Sequence, residues 1–259
     1  MNRVLTITAI TALSFSSMSY AESISAAKAE FYAGSLCMLS QRMAKDYFAI
    51  GADIRPEVAM QDLDESVSLF EERINLVMDF AHEHGINHSV EPLAKLWQEY
   101  RMDVLAKPDK LHAATLLKHS EALLKACNNS VAAIAAESDS PYAELVRISE
   151  EETTLAQKIA RDYYAMYWNV ETDTVRADFQ QSIQQFDQNL TVLLGTNHNT
   201  PELTNLLARV ESQWKFSNAG FKLDKNGQYV PNVISVTTDS IYKKMENIAY
   251  KYELLMSTN

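Results

Sequence analysis

At 259 residues, 47% of them hydrophobic, the chain is long enough to bury a substantial core and too apolar to remain disordered. Its 34 acidic against 23 basic residues, a net charge of −11, argue against nucleic acid and anionic lipid as partners, since both need their phosphate charge neutralised. Only six Gly and six Pro, among helix formers such as Ala, Leu, Glu, Gln and Lys, indicate an all-α protein.

Residues 1–21 carry Arg3, an apolar stretch from Val4 to Phe15, and Ser19-Tyr20-Ala21 with small residues where a signal peptidase reads. The stretch falls short of the roughly 20 residues that span a bilayer. The expectation is a secretory signal cleaved after Ala21, and a periplasmic protein with no membrane span of its own after cleavage.

A first helix is expected from Ser23 to Ile50, with Leu36, Leu39, Met43, Tyr47 and Ile50 at helical spacing before Gly51. Pro56 opens a second, whose stripe of Leu63, Val67, Phe70, Ile74, Val77 and Phe80 ends near His84 and Gly85. Pro92 is read as opening a shorter third helix through Leu93, Leu96, Trp97 and Tyr100. Beyond Pro108 a fourth turns Leu116, Leu123, Leu124, Val131 and Ile134 inward. Four helices with short links predict an antiparallel bundle.

Ser138-Asp139-Ser140-Pro141 then marks a boundary, and the order repeats over about 142–169, 172–194, 201–216 and 232–256. The link from Ser217 to Pro231 holds Asn226-Gly227 between apolar flanks, which predicts a small β-hairpin near 221–230.

The repetition is written in the residues. LSQRMAKDYFAI at 39–50 matches LAQKIARDYYAM at 155–166, and LDESVSLFEERI at 63–74 matches FQQSIQQFDQNL at 179–190, both at an offset of 116. A third match pairs Leu93, Ala94, Lys95, Leu96 and Tyr100 with Leu207, Ala208, Arg209, Val210 and Trp214, after a two-residue shortening. The chain therefore divides into 1–21, a first four-helix unit at 22–140 and a second at 141–259.

Cys37, early in the first helix, and Cys127, late in the fourth, come level if those helices are antiparallel neighbours. In an oxidising compartment that predicts a Cys37–Cys127 disulfide, with two buried free thiols as the alternative.

The matched segments of the two first helices are the place to look for function: Gln41, Arg42 and Lys45 in one copy, Gln157, Lys158 and Arg161 in the other. The bland account is an ion pair on a solvated helix face in each copy, Arg42 with Asp46 and Lys158 with Asp162, worth a few tenths of a kcal/mol. His82, His84 and His88 cluster at a link and read as a solvated loop in preference to a metal site. Asp224, Asn226 and Gly227 resemble the start of a calcium loop, but Ser235 stands where the closing glutamate belongs. With no C-x-x-C-H, phosphate loop or nucleophile elbow, the expectation is a non-enzyme without cofactor or metal.

The run Ala33-Gly34-Ser35-Leu36-Cys37-Met38-Leu39-Ser40-Gln41-Arg42-Met43 resembles the opening motif of the periplasmic sensor domains of the PilJ and NarX type, as does the Leu96-Trp97 and Tyr100 pattern. The resemblance implies four-helix sensor bundles linked to chemotaxis-like transducers of type IV pili and to nitrate-responsive kinases. In the nitrate sensors an arginine before the motif's Met binds the anion; here Cys37 stands there, with Thr153 as its counterpart, so nitrate binding is not carried over. What remains is an exported sensor-like module that recognises a small ligand or an envelope protein, including a membrane receptor, with no signalling domain of its own. The competing class is a structural or adhesion-related protein of pili or envelope.

Overall fold

The computed structural model describes residues 24–138, 140–170, 174–221 and 229–258. They form α1 (Ala26–Gly51), α2 (Pro56–Glu83), α3 (Asn87–Leu105), α4 (Lys110–Ala135), α5 (Ala143–Tyr167), α6 (Val175–Gly195), α7 (Pro201–Phe221) and α8 (Pro231–Thr258), with no strand among the described residues. The all-α class is the one the chain adopts. Of the stretch near 221–230 expected to form a hairpin, residues 222–228 lie outside those described.

Local chemistry starts the helices. Ser25 accepts a hydrogen bond from the Lys28 amide at 3.2 Å and Asp109 one from Leu111 at 2.8 Å, satisfying amides that a helix start leaves without partners. Pro56, Pro201 and Pro231 occupy first helical positions, where a missing N–H costs nothing. Pro92 does not. It lies inside α3, which begins at Asn87, because Val90 is buried in the core and draws the preceding turn into the helix. Similarly, α7 continues past residue 216 to Phe221, whose ring is buried.

In the first half, α1 packs on α2 and α4, and α3 completes the ring; in the second, α5 packs on α6 and α8, and α7 completes it. The two halves meet mainly through α1 against α5, and their buried apolar side chains form one continuous cluster. The helices run in the same direction, since Gly34 lies against Glu150 and Gly51 against Trp168. Gly34 and Glu150 are repeat counterparts, as expected beside a two-fold relation in which a residue on the axis meets its own equivalent. A Cβ on Gly34 would sit 2.5 Å from the Cβ of Glu150, so only glycine permits this approach.

The burial pattern also resets the third sequence match. Val90, Leu93, Trp97, Tyr100 and Val104 of α3 correspond in spacing and burial to Leu207, Val210, Trp214, Ser217 and Phe221 of α7. Phe70 stacks on Trp97 at 4.1 Å and Phe186 on Trp214 at 3.9 Å, so Trp214 answers to Trp97 and not to Tyr100. The likeness of Leu93-Ala94-Lys95-Leu96 to Leu207-Ala208-Arg209-Val210, two identities and two conservative pairs, stands three residues out of the packed register.

Cys37 and Cys127 are joined by a disulfide, with Cα atoms 5.5 Å apart, and no free cysteine remains. The bond ties α1 to α4 across 90 residues of chain. Closing a loop of that length removes about 4 to 5 kcal/mol of unfolded-state entropy in the chain-entropy model. The Cys37→Ala/Cys127→Ala variant is expected to lose stability of that order in urea unfolding, and the wild-type protein should lose it on reduction.

Candidate functional site

Every residue from Ala33 to Ala49 of α1 and from Glu152 to Ala165 of α5 is buried. These two helices carry the motif segments, so the solvated-face account of their charges does not hold. Gln41, Arg42, Lys45, Gln157, Lys158 and Arg161 all lie inside, at 9% exposure or less, because each central helix is covered by its own bundle and by the other.

Burial forces partners on the charges. Lys45 pairs with Asp239 of α8 at 2.7 Å, and Arg161, its repeat counterpart, with Glu121 of α4 at 2.6 Å. Both pairs cross from one bundle to the other. Arg161 also donates to Gln41 Oε1 and to Ser120 Oγ at 2.8 Å, and Gln41 Nε2 donates to the Ser120 carbonyl at 3.2 Å. Gln157, the counterpart of Gln41, has neither amide atom hydrogen-bonded. Arg42 bonds to Asp62 of α2 at 2.9 Å and not to Asp46, which takes Lys45 at 3.3 Å. The expected Lys158–Asp162 pair does form, at 3.2 Å, and Lys158 also reaches Glu121 at 3.1 Å.

These pairings set the protonation states. Burial alone would lower the Lys45 ammonium and the Arg161 guanidinium; the carboxylates of Asp46 and Asp239, and of Asp162 and Glu121, more than reverse it. Burial would raise Glu121, but Arg161 and Lys158 hold it below the usual carboxylate range.

A cavity of about 650 Å³ opens between α1, α4, α5 and α6, beside the disulfide, on the face of the α1–α5 contact where Lys158 lies. Of the six motif residues it takes in only Lys158. Sequence reasoning missed the rest of its charged lining: Glu121, Arg147, Glu150, Glu151 and Asp178. One signal was legible, the run Glu150-Glu151-Glu152 facing a bundle interior. Glu150 is 4% exposed and its Oε1 has no hydrogen-bond partner. Burial pushes its carboxyl well above the ordinary value; Glu246 adds to this, and Arg73 opposes it. Nearby, Glu30 of α1 is 1% exposed with both carboxyl oxygens unpartnered, and burial raises it to about 8 against the pull of Arg147.

The histidine cluster does not converge. His82 contacts Asn87 and His84 stacks on Phe80, and no group of His, Cys, Asp or Glu suited to a metal occurs among the described residues. No helix among them is long and apolar enough to cross a membrane.

No protein-family model, no curated protein and no solved structure matches this chain. Its chemistry is therefore argued from its own residues.

Removing the Arg161 side chain leaves Asp162 buried and only partly compensated by Lys158. Arg161→Met is expected to cost about 3 kcal/mol in urea unfolding, and Arg161→Met/Asp162→Leu to recover most of it. For Glu30 the folded value lies above the unfolded one, so its contribution is whole below about pH 4.5, shrinks as pH rises and is lost above about 8. Glu30→Gln, neutral at every pH, should flatten the decline of the thermal midpoint between pH 5 and 8. At pH 8 it should melt higher by at least about 2 °C, the shift that 1 kcal/mol produces in a domain of this size.

Proposed function

We propose that this protein is an exported, periplasmic binding module that takes a small polar molecule into the cavity between its two repeats. The observation that carries the reading is the cavity itself. At about 650 Å³ it lies within the roughly 300–1,000 Å³ range of small-molecule sites. It combines aliphatic wall from Leu124, Val131 and Leu155 with polar side chains, among them Asp178, Gln181 and Gln185. The resemblance of the Ala33–Met43 run to sensor domains of the PilJ and NarX type supports sensing as the purpose of binding. The apolar stretch and small residues within 1–21 support export.

A second reading, recognition of an envelope protein, draws on exposed apolar side chains where α3 passes into α4. There Met102 is 69% and Leu111 89% exposed, with Leu105 between them. Exposed apolar side chains that adjoin one another are the usual mark of a protein contact.

A thermal-shift panel of small anions, amino acids, amines and sugars separates the two, since a ligand of the native state raises its midpoint. At least one compound class should raise it in the wild type and not in Ala132→Trp, where an indole is placed at the cavity rim. If no class shifts the midpoint, or if the shift survives in Ala132→Trp, the cavity is not the binding site.

A further inference from the structure

The two repeats treat one position in opposite ways. In the first, the Arg42 guanidinium sits between Asp62 at 2.9 Å and Glu65 at 3.5 Å, with the Tyr242 ring 5.4 Å away. The matched residues of the second repeat are Lys158, Asp178 and Gln181, and by the burial register of α4 against α8 Leu124 stands for Tyr242. Lys158 has turned away to Glu121 and Asp162. Asp178 is left without an ion pair among the described residues, and the space beside it is the cavity. Met38 and Leu69 of the first repeat become Thr154 and Gln185 in the second, replacing apolar bulk with polar groups. One repeat fills an acid-lined slot with its own cation; the other keeps the acid and vacates the slot.

We propose that the vacated slot holds the ammonium group of a small aliphatic amine, with Asp178 as its charge partner and the amide oxygens of Gln181 and Gln185 as further acceptors. This rests on the cavity being a ligand site. An anion is disfavoured because the lining's two cations are already taken: Lys158 as described, and Arg147 by Glu144 at 2.6 Å and Glu151 at 3.3 Å. Gln185 donates its Nε2 to Asn189 at 2.9 Å, which leaves its Oε1 to accept. No aromatic ring lines the cavity, so the site offers hydrogen-bond acceptors and not the cage that quaternary ammonium prefers.

Isothermal titration of the purified protein with 1,5-diaminopentane tests this, with tetramethylammonium and succinate as comparators. The diamine should bind one to one. Asp178→Asn should weaken it at least about tenfold, a loss of about 1.4 kcal/mol. Tetramethylammonium, which has no N–H, should bind at least about tenfold more weakly than the diamine. Failure of the diamine to bind, undiminished binding in Asp178→Asn, or equal binding of tetramethylammonium overturns the proposal. Binding of succinate in place of the diamine, lost in Ala132→Trp, overturns the amine assignment while leaving the cavity a ligand site. Asp178→Asn removes charge without bulk, and its melting transition shows that it is folded.

Discussion

The structure depends on the contact between α1 and α5, two helices buried on all sides that nonetheless carry lysine, arginine, aspartate and glutamine. A charge in such a place costs several kcal/mol unless it is paired and hydrogen-bonded. Two of the closest pairs found here do not close within one bundle. Lys45 needs Asp239 and Arg161 needs Glu121, so each repeat supplies the counter-charge for the other's central helix. Neither bundle satisfies its own interior alone, and the continuous core follows from that requirement. Gly34 makes the approach sterically possible, and the disulfide fixes α1 against α4 one turn away.

The near-symmetry of the two repeats makes their differences readable. Where residues match, the packing matches: Phe70 on Trp97 and Phe186 on Trp214 are the same stack built twice. Where they differ, one side is solid and the other hollow. Arg42, Met38 and Tyr242 fill the first; Lys158, Thr154 and Leu124 leave the second open. The cavity is thus a local departure from the repeat, at a point where the polar Thr154 and Gln185 stand in place of the apolar Met38 and Leu69.

Much was determined by the sequence by itself. The periodicity of Leu63 to Phe80 and of Leu116 to Ile134 specified helices and their inward faces, and the internal repeat specified two like units. The cysteine positions specified a bond once the helices were antiparallel. These follow from local spacing, which a chain carries with it. What only the tertiary structure decided is which polar residues are inside. Arg42, Lys158 and their neighbours have the composition of a solvated face, and no local rule reveals that a second bundle covers it. The same holds for Pro92, drawn into a helix by the burial of Val90, and for the register of α7, set by Trp214 and Phe221 finding the core. The cavity is the extreme case. It is a difference between two packings of nearly the same pattern, and it exists only where side chains distant in sequence fail to fill a shared space.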